Sequence, residues 1–359
     1  MAYLVLEDGS VYEGSPRGAF RETACEIVFN TSMAGYVEVL TDPSYAGQGV
    51  VMTYPLIGNY GVSREDFESD RLQPCAFIVH ELCETPSNFR NEMPLEQLLI
   101  EHNIPCLVDV DTRSIVKKLR DKGSMRGVIT QDISNINRCL NIIKEFKHDR
   151  LVESVSVEHS CLLGSENTGH NIALLDFGVM NSVENSLLTR NCRVTRLPCL
   201  TSASEIIGGG FDGLVLTGGP GNPADCKEII ENIKQLYDYG IPTFAISLGH
   251  QLTALAVGGK TTKMNHPHRG GNHPVKFLKQ DKTFLTSQNH GYMVCSEGLP
   301  SNAEVFCINV NDKTVEGVLY HGKPWFTVQF CPEVKPAPHN TSFLFDRFLK
   351  TIEEGRYCD

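Results

Sequence analysis

The first 130 residues alternate between short apolar runs and stretches with the spacing of helices. The Asp8-Gly9 pair after the first apolar run predicts a tight turn. An Asp111-Thr112 pair precedes a run of helical spacing and predicts a helix cap. This mixture predicts an α+β domain over residues 1–150. The predicted strands are residues 3–7, 26–30, 49–53 and a strand from residue 11, and the predicted helices are residues 95–102 and 113–122.

The second half of the chain has a different pattern. Apolar strands there alternate with helical stretches such as residues 227–239, which predicts an α/β domain with a mainly parallel sheet over residues 170–359. Between the two patterns, residues 151–169 include a run rich in Gly, Ser and Asn, and we expect a linker. The predicted strands of the second domain are residues 171–175, 193–197, 213–216 and 243–246.

Composition narrows the class of protein. Of the 359 residues, 41% are apolar and 21% are charged, as in globular proteins. The net charge of −11 argues against binding to nucleic acid or to anionic membranes. The 13 cysteines are never spaced as Cys-x-x-Cys, so we expect no zinc cage and no disulfide framework. No signal peptide and no membrane span are expected, and a cytoplasmic location is the natural setting.

Candidate chemistry lies where the apolar strand 243–246 runs directly into Ser247-Leu-Gly-His-Gln. A sharp turn from strand to helix exposes one side chain at the sheet edge and directs the N–H groups of the helix start toward its reaction partner. Ser247 is therefore a candidate nucleophile. A serine in an ordinary strand–helix loop is the alternative, since the motif is short.

Three more segments carry candidate site residues. Each of them either follows a predicted apolar strand or is rich in polar residues. In the loop after residues 213–216, Gly219 and Gly221 allow close approach of the backbone and can present N–H groups to a ligand. A plain tight turn is the alternative there. The other two segments are Thr286-Ser-Gln-Asn-His-Gly-Tyr292 and Pro324-Trp-Phe-Thr-Val-Gln-Phe-Cys-Pro-Glu333.

Together these segments resemble the class I glutamine amidotransferase domain, in which the turn reads Gly-x-Cys-x-Gly-His-Gln and a later motif reads His-Pro-Glu. The first half is similar to the small chain of carbamoyl phosphate synthetase. That similarity is carried by long stretches at residues 29–38, 40–45, 53–61, 87–90, 109–113 and 269–274.

The resemblance implies a glutamine site and a partner. Released ammonia would travel to a large synthetase subunit, which uses ATP and bicarbonate, and the pathway would be pyrimidine or arginine synthesis. We expect no cofactor and no metal in this chain, which has no ATP-binding motif. The implied glutamine-binding residues are Ser44, Gly219, Gly221, Leu248, Gln251, Asn289, Gly291 and Tyr292.

The sequence departs from the family at the catalytic positions, which are Ser247, Cys331 and Glu333 here. The family has Cys as the nucleophile, His as its base and Glu to orient that His. Serine attacks only when a base takes its proton, and a thiol cannot pass that proton to ammonia as imidazole does. Loss of one such residue costs roughly 10⁴-fold in rate, and loss of a second adds little. We expect almost no glutaminase activity.

Other residues could restore the chemistry. Cys331 could attack instead of Ser247, although we expect it to lack the oxyanion donors of a helix start. His250, His290 or His339 could act as the base, although a buried neutral histidine is the more common role.

Further departures lie outside the catalytic positions. Ala245 replaces the first Gly of the turn. Met180, Ser182 and Asn185 stand where the family usually has Lys, Asn and Arg, and this puts the usual interface or signalling in doubt.

Three functions remain open at this point. The chain could be a working amidotransferase subunit with unconventional residues. It could be a partner that does not hydrolyse glutamine and supports a synthetase that uses ammonia. It could also be a glutamine-binding sensor. The nearly complete binding set favours glutamine binding in all three, and the missing Cys–His pair favours the second or the third.

Overall fold

The computed structural model describes residues 1–147, 150–332 and 341–357. The chain divides into two compact units. Unit 1 comprises residues 1–149 and 265–270, and unit 2 comprises residues 150–264 and 271–359. In the described part of the chain, every helix is too short or too polar to cross a bilayer.

Unit 1 is built mainly from nine strands and four helices. The strands are β1 (Ala2–Leu6), β2 (Val11–Gly18), β3 (Thr23–Asn30), β4 (Gln48–Met52), β5 (Leu56–Ile57), β6 (Ala76–Ile78), β7 (Glu81–Leu82), β8 (Pro105–Val108) and β9 (Met125–Thr130). The helices are α1 (Tyr36–Thr41), α2 (Leu95–Glu101), α3 (Thr112–Lys122) and α4 (Ile136–Glu145), with short 3-10 turns at Pro43–Tyr45 and Arg64–Asp66.

Unit 2 contains the remaining elements. Its helices are α5 (Leu151–Val155), α6 (Asn181–Leu188), α7 (Ala203–Gly208), α8 (Lys227–Tyr239), α9 (Leu248–Ala256) and α10 (Phe343–Glu354), with a 3-10 turn at Pro223–Asp225. Its strands are β10 (Cys161–Leu163), β11 (Asn171–Asp176), β12 (Arg193–Pro198), β13 (Gly213–Leu216), β14 (Thr243–Ile246), β15 (Thr261–Phe277), β16 (Lys282–Val294), β17 (Ala303–Asn309), β18 (Val315–Tyr320) and β19 (Trp325–Val328). Residues 265–270 of β15 are the part that belongs to unit 1.

Seven strands of unit 1 close into a barrel in the order β1-β2-β8-β6-β4-β3-β9. The β3–β4, β4–β6 and β6–β8 pairs are parallel, and the other pairs are antiparallel. Side chains alternate between two apolar clusters, as the twofold period of a strand requires. Val50 and Phe77 enter one cluster, whereas Val51 and Ile78 enter the other. Strands buried on both faces explain the continuous apolar runs in the sequence.

The sheet of unit 2 has ten strands in the order β10-β12-β11-β13-β14-β19-β18-β17-β15-β16. Its centre, β12-β11-β13-β14-β19, is parallel. Antiparallel pairing of β10 with β12 and of β18 with β19 begins the two flanks. This arrangement confirms the predicted α/β class.

Both faces of this sheet are covered. Leu214 and Leu216 of β13 pack into the cluster that contains Ile229 and Leu236 of α8. Val215, between them, packs into the opposite cluster with residues of α6 and α10. The carboxyl ends of the central parallel strands therefore form an edge at which the loops can gather a ligand site.

The segment 151–169 differs from the expected linker. It contains α5 and β10, and β10 pairs with β12 at the sheet edge. The Val157 N–H also donates to the Asp176 carboxylate over 2.9 Å. The strand is the apolar run Cys161-Leu-Leu163, and a run of three residues is too short to distinguish a strand from a loop.

Candidate functional site

Ser247 occupies a strained turn between β14 and α9. Its backbone has φ 51° and ψ −107°, which a residue with a side chain rarely adopts. The Ser247 N–H donates to the Val328 carbonyl over 2.8 Å, and the Gln251 N–H donates to the Ser247 carbonyl over 3.1 Å. These two bonds fix the turn between a neighbouring strand and the first turn of α9. The turn has the geometry expected for an exposed nucleophile, although Ser247 itself is only 6% exposed.

The glycine-rich loop after β13 lies directly beside this turn. A Cβ built on Gly218 would be 3.5 Å from the Ser247 Cβ. A Cβ on Gly219 would be 2.1 Å from the Phe177 carbonyl oxygen and 3.0 Å from a methyl of Leu248, so only glycine fits there. Gly221 has φ +96°, which also favours glycine. The structure therefore brings Ser247, Leu248 and Gly219 together.

The first N–H groups of α9 point toward this same edge. An N–H in the first turn of a helix has no acceptor within the helix, and in the described part of the chain no acceptor is found for the N–H of Leu248. Gly219 brings its backbone to the neighbouring position. Backbone N–H groups at such a position are the kind of donors that stabilise the oxyanion of a reacting substrate.

Cys331 follows β19, the strand that pairs in parallel with β14. The pairing places Ile246 opposite Val328, so Ser247 and Cys331 both lie beyond the ends of adjacent strands, which are about 4.8 Å apart. The Cys331 N–H donates to the Ser287 carbonyl over 3.0 Å, which ties it to β16. Cys331 lies three residues beyond Val328, the last residue of β19, and forms an isolated antiparallel bridge with Ser287.

Strand β16 carries Asn289, Gly291 and Tyr292, all half-buried. The Gln251 side-chain amide donates to the Tyr292 carbonyl over 2.8 Å and to the Gln329 side-chain oxygen over 3.0 Å. Gln251 is thus part of the framework that holds β16 and β19 against α9. Asn289 and Gly291 are two residues apart and so lie on the same face of β16.

Ser44 belongs to unit 1, in the 3-10 turn Pro43–Tyr45. Its N–H and hydroxyl both donate to one oxygen of Asp42, over 2.8 and 2.6 Å. Burial raises the pKa of Asp42 to about 6. Glu333 and His339 lie outside the described residues.

Two family models match the chain and together span most of it. Residues 4–129 match the carbamoyl-phosphate synthase small chain, CPSase domain, and residues 173–351 match glutamine amidotransferase class-I. A carbamoyl phosphate synthase small chain of Fusobacterium nucleatum is 45% identical over 98% of both chains. The chain belongs to the carbamoyl phosphate synthase small chain family.

Two further comparisons add one relative and one solved structure. The small chain of Methanocaldococcus jannaschii is 44% identical, covering 97% of this chain and 98% of its own. Among solved structures, a glutamine amidotransferase from Thermotoga maritima is 19% identical with a TM-score of 0.37, covering 46% of this chain and 76% of that one. The amidotransferase class-I match covers Ser247, and the small-chain match covers Ser44.

Two histidines that could have acted as the base, His250 and His290, have hydrogen-bond partners in the framework around the turn. His250 is fully buried, with Nδ1 2.7 Å from the Thr327 hydroxyl on β19. Burial lowers the pKa of His250 to about 3, so the ring is neutral. His290 has Nδ1 2.8 Å from the Tyr292 carbonyl and Nε2 2.9 Å from the Gln288 side-chain oxygen. Both rings are held by the framework around the turn.

The departures at the start of α6 have different exposures. Met180 is buried beside the helix start, Ser182 is half-buried and Asn185 is exposed. Met180 packs into the apolar cluster on the α6 and α10 face of the sheet. A lysine at that position would bury its charge among apolar side chains, which is costly. The local packing therefore suits an apolar side chain.

Two polar residues that shape the site around Ser247 were not predicted from the sequence. Asp176, fully buried at the end of β11, accepts from the N–H groups of Gly178 and Val179 and from the Arg196 guanidinium. Thr217, fully buried at the end of β13, accepts from the Phe177 N–H over 2.8 Å. A polar residue at the carboxyl end of a buried parallel strand was the available signal.

Proposed function

We propose that this chain is the glutamine-binding small subunit of a carbamoyl phosphate synthase, and that it holds glutamine without hydrolysing it at ordinary enzyme rates. The observation that carries the proposal is the strained turn at Ser247. It keeps the position and the backbone surroundings of a nucleophile, but it presents a hydroxyl rather than a thiol.

Retained binding is supported by the backbone of unit 2. The tight approach at Gly219 and the first turn of α9 are features of backbone shape, which a change of the nucleophile side chain leaves in place. The residues that we propose to contact glutamine are Ser44, Gly219, Gly221, Leu248, Gln251, Asn289, Gly291 and Tyr292.

The absence of turnover follows from proton transfer. A serine hydroxyl needs a base in position when it attacks, and the base position of the family is Cys331 here. His250 is buried and neutral, and its Nδ1 is within hydrogen-bond distance of the Thr327 hydroxyl. His290 is engaged along its own strand. An orienting carboxylate at Glu333 has no imidazole to orient, so we expect a loss of roughly 10⁴-fold or more.

The partner is a large synthetase subunit, which uses ATP. The chain matches its small-chain relatives over nearly their whole length, including the domain at residues 4–129. A free glutamine sensor would have little physical need for that domain, so a function as a synthetase subunit is favoured over a function as a sensor. A charge pair at a solvated surface contributes about 0–1 kcal/mol, so the loss of the family's Arg at the exposed position of Asn185 weakens a large interface without abolishing it.

Calorimetry with glutamine tests the binding half of this proposal. We expect saturable binding, with ammonia release at background, both alone and with the large subunit. Ser44→Ala should weaken binding. Ser134→Ala is the matched control, because Ser134 makes the same pair of bonds to Asp132 that Ser44 makes to Asp42. Turnover at ordinary rates would rule the proposal out.

Coexpression with the host's large subunit, followed by sizing chromatography, tests the partner half. Co-elution with ammonia-dependent synthesis of carbamoyl phosphate supports the subunit function. A chain that binds glutamine yet remains alone at micromolar concentration would instead be a sensor.

A further inference from the structure

Unit 2 also has a cavity at the edge of its sheet that is remote from Ser247. A cavity of about 420 Å³ is lined by His321, Gly322 and Lys323, which immediately precede β19. Ser247 lies beyond the other end of the same pair of strands, because β14 and β19 run in parallel. The cavity is therefore at the opposite edge of the sheet from the glutamine site.

The lining is basic although the protein is acidic. Lys279, Lys323, Arg347 and Arg356 line the cavity, whereas Glu304 is the one carboxylate among its described lining residues. The chain as a whole has a net charge of −11. A local excess of cations in an acidic protein concentrates anions at that place.

Arg347, on α10, is the most constrained of these cations. It is only 9% exposed, and its guanidinium lies over the rings of Phe343 and Tyr357 at 5.1 and 5.4 Å. It donates to the Tyr357 hydroxyl over 2.6 Å. Within the described residues, no carboxylate lies within ion-pair distance of it. Burying a cation is costly unless a negative group compensates it.

Tyr357 does not supply that negative charge. Burial raises the pKa of Tyr357 to about 12, so the phenol is neutral at physiological pH. An anion in the cavity would supply it, and a guanidinium with several donors in a plane suits phosphate and carboxylate groups.

The cavity also has an aromatic wall, whose rings are tilted or edge-on to one another. Phe277, Phe306 and Tyr357 line it, with the Phe306 and Tyr357 ring centroids 6.1 Å apart and those of Phe277 and Phe306 5.9 Å apart. Aromatic side chains accept a planar ring by stacking or edge contact. The volume falls within the usual range for small-molecule sites, which is about 300–1,000 Å³.

We propose that this cavity binds a small organic anion in which a planar ring carries a phosphate group. The phosphate lies against Arg347 and the neighbouring cations Lys279 and Arg356, and the ring lies against Phe306 and Tyr357. The site is separate from the glutamine site, and its occupancy does not depend on whether glutamine is hydrolysed.

Phenyl phosphate is a suitable probe, with inorganic phosphate and phenol as its two halves. Titration of the full chain, followed by calorimetry and by NMR, should show saturable binding of phenyl phosphate at least tenfold tighter than binding of either half. Glutamine at saturation should leave that affinity unchanged.

Variants locate the site. Arg356→Gln and Lys279→Gln change exposed residues, and each should weaken phenyl phosphate binding about three- to tenfold. Arg347→Lys should weaken it further, with a thermal melt to verify folding. Lys350→Gln is the control, because it removes the same charge from an exposed position on α10 that does not line the cavity.

Three outcomes would overturn the proposal. They are an absence of saturable binding, equal affinity for phosphate and phenyl phosphate, and a loss in the Lys350 variant as large as that in the Arg356 variant. The Arg356 and Lys279 variants decide the matter even if Arg347→Lys does not fold.

Discussion

The ends of β14 and β19 lie side by side in unit 2, yet they differ in what fixes them. At the end of β14, Ser247 is held by backbone geometry, through a positive φ and two backbone hydrogen bonds. Beyond the end of β19, the Cys331 N–H donates to the Ser287 carbonyl, and the expected role of Cys331 depends wholly on the chemistry of its side chain. The comparison teaches that a site can keep its shape when its reactive groups change.

Restoring both side chains is the strongest test of this contrast. Ser247→Cys alone supplies a thiol without a base, and Cys331→His alone supplies a base without a good nucleophile. We expect the double variant to exceed either single variant in glutamine hydrolysis by roughly 10³-fold or more, because the two groups act as one unit. Ammonia release from glutamine measures it.

Full activity in either single variant would show that the roles are assigned wrongly. An inactive double variant that still binds glutamine would place the block elsewhere, for example at the changed start of α6.

Altering the backbone shape beside Ser247 should have the next largest effect. In Gly219→Ala, the new Cβ would meet the Phe177 carbonyl, which must shift. We expect a loss of about 3 kcal/mol in the free energy of unfolding and weaker glutamine binding. Denaturant unfolding and calorimetry measure the two effects.

Gly208→Ala is the control for that experiment. Gly208 ends α7 with nothing within 4 Å of an added Cβ, so the change should be nearly neutral. Equal effects in the two variants would mean that the loop after β13 tolerates side chains and does not define the site.

The smallest effect is expected from His250, which is buried on α9 with its ring against Thr327 of β19. Its folded-state pKa of about 3 is below the ordinary value of 6.5, so the unfolded chain binds the extra proton first as pH falls. The contribution of neutral His250 to the free energy of unfolding is complete above pH 6.5. It declines as the pH falls toward 3, by about 2 kcal/mol at pH 5. Denaturant unfolding from pH 7 to pH 5 measures it.

His250→Gln should flatten that pH dependence by up to one proton. An unchanged slope would mean that the imidazole is accessible and titrates normally, which would make it available as a base and weaken the contrast between the two strand ends.

The elements that position the site could be predicted from local sequence. Strands β11, β13 and β14 are apolar runs buried on both faces, and the turn at Ser247 follows directly from the last of them. The cap at Asp111 was also predicted and is confirmed by its bond to the Ser114 N–H. Such signals lie within a few residues of one another.

Other features depend on pairing between distant segments and leave no local pattern. The basic cavity joins residues near 279, 306 and 321, from the antiparallel flank of the sheet, with Arg347 of α10 and Tyr357 beyond that helix. The buried Asp176 acquires its partner Arg196 through the pairing of β11 with β12, and its position at the end of an apolar run does not reveal that partner. Barrel closure in unit 1 is of the same kind, since β1 pairs with β9 across more than a hundred residues.

The return of residues 265–270 to unit 1 has a consequence for the order of synthesis. The Thr31 N–H and hydroxyl both donate to the Arg269 carbonyl, and Arg269 is nearly fully buried. Unit 1 therefore leaves the ribosome long before the residues that complete it. The barrel strands all lie within residues 2–130, whereas the Thr31–Arg269 contact can form only after about 120 further residues have emerged, at the usual rate of roughly 5–20 residues per second. The amino-terminal fragment expressed by itself would have the barrel strands but would lack that contact.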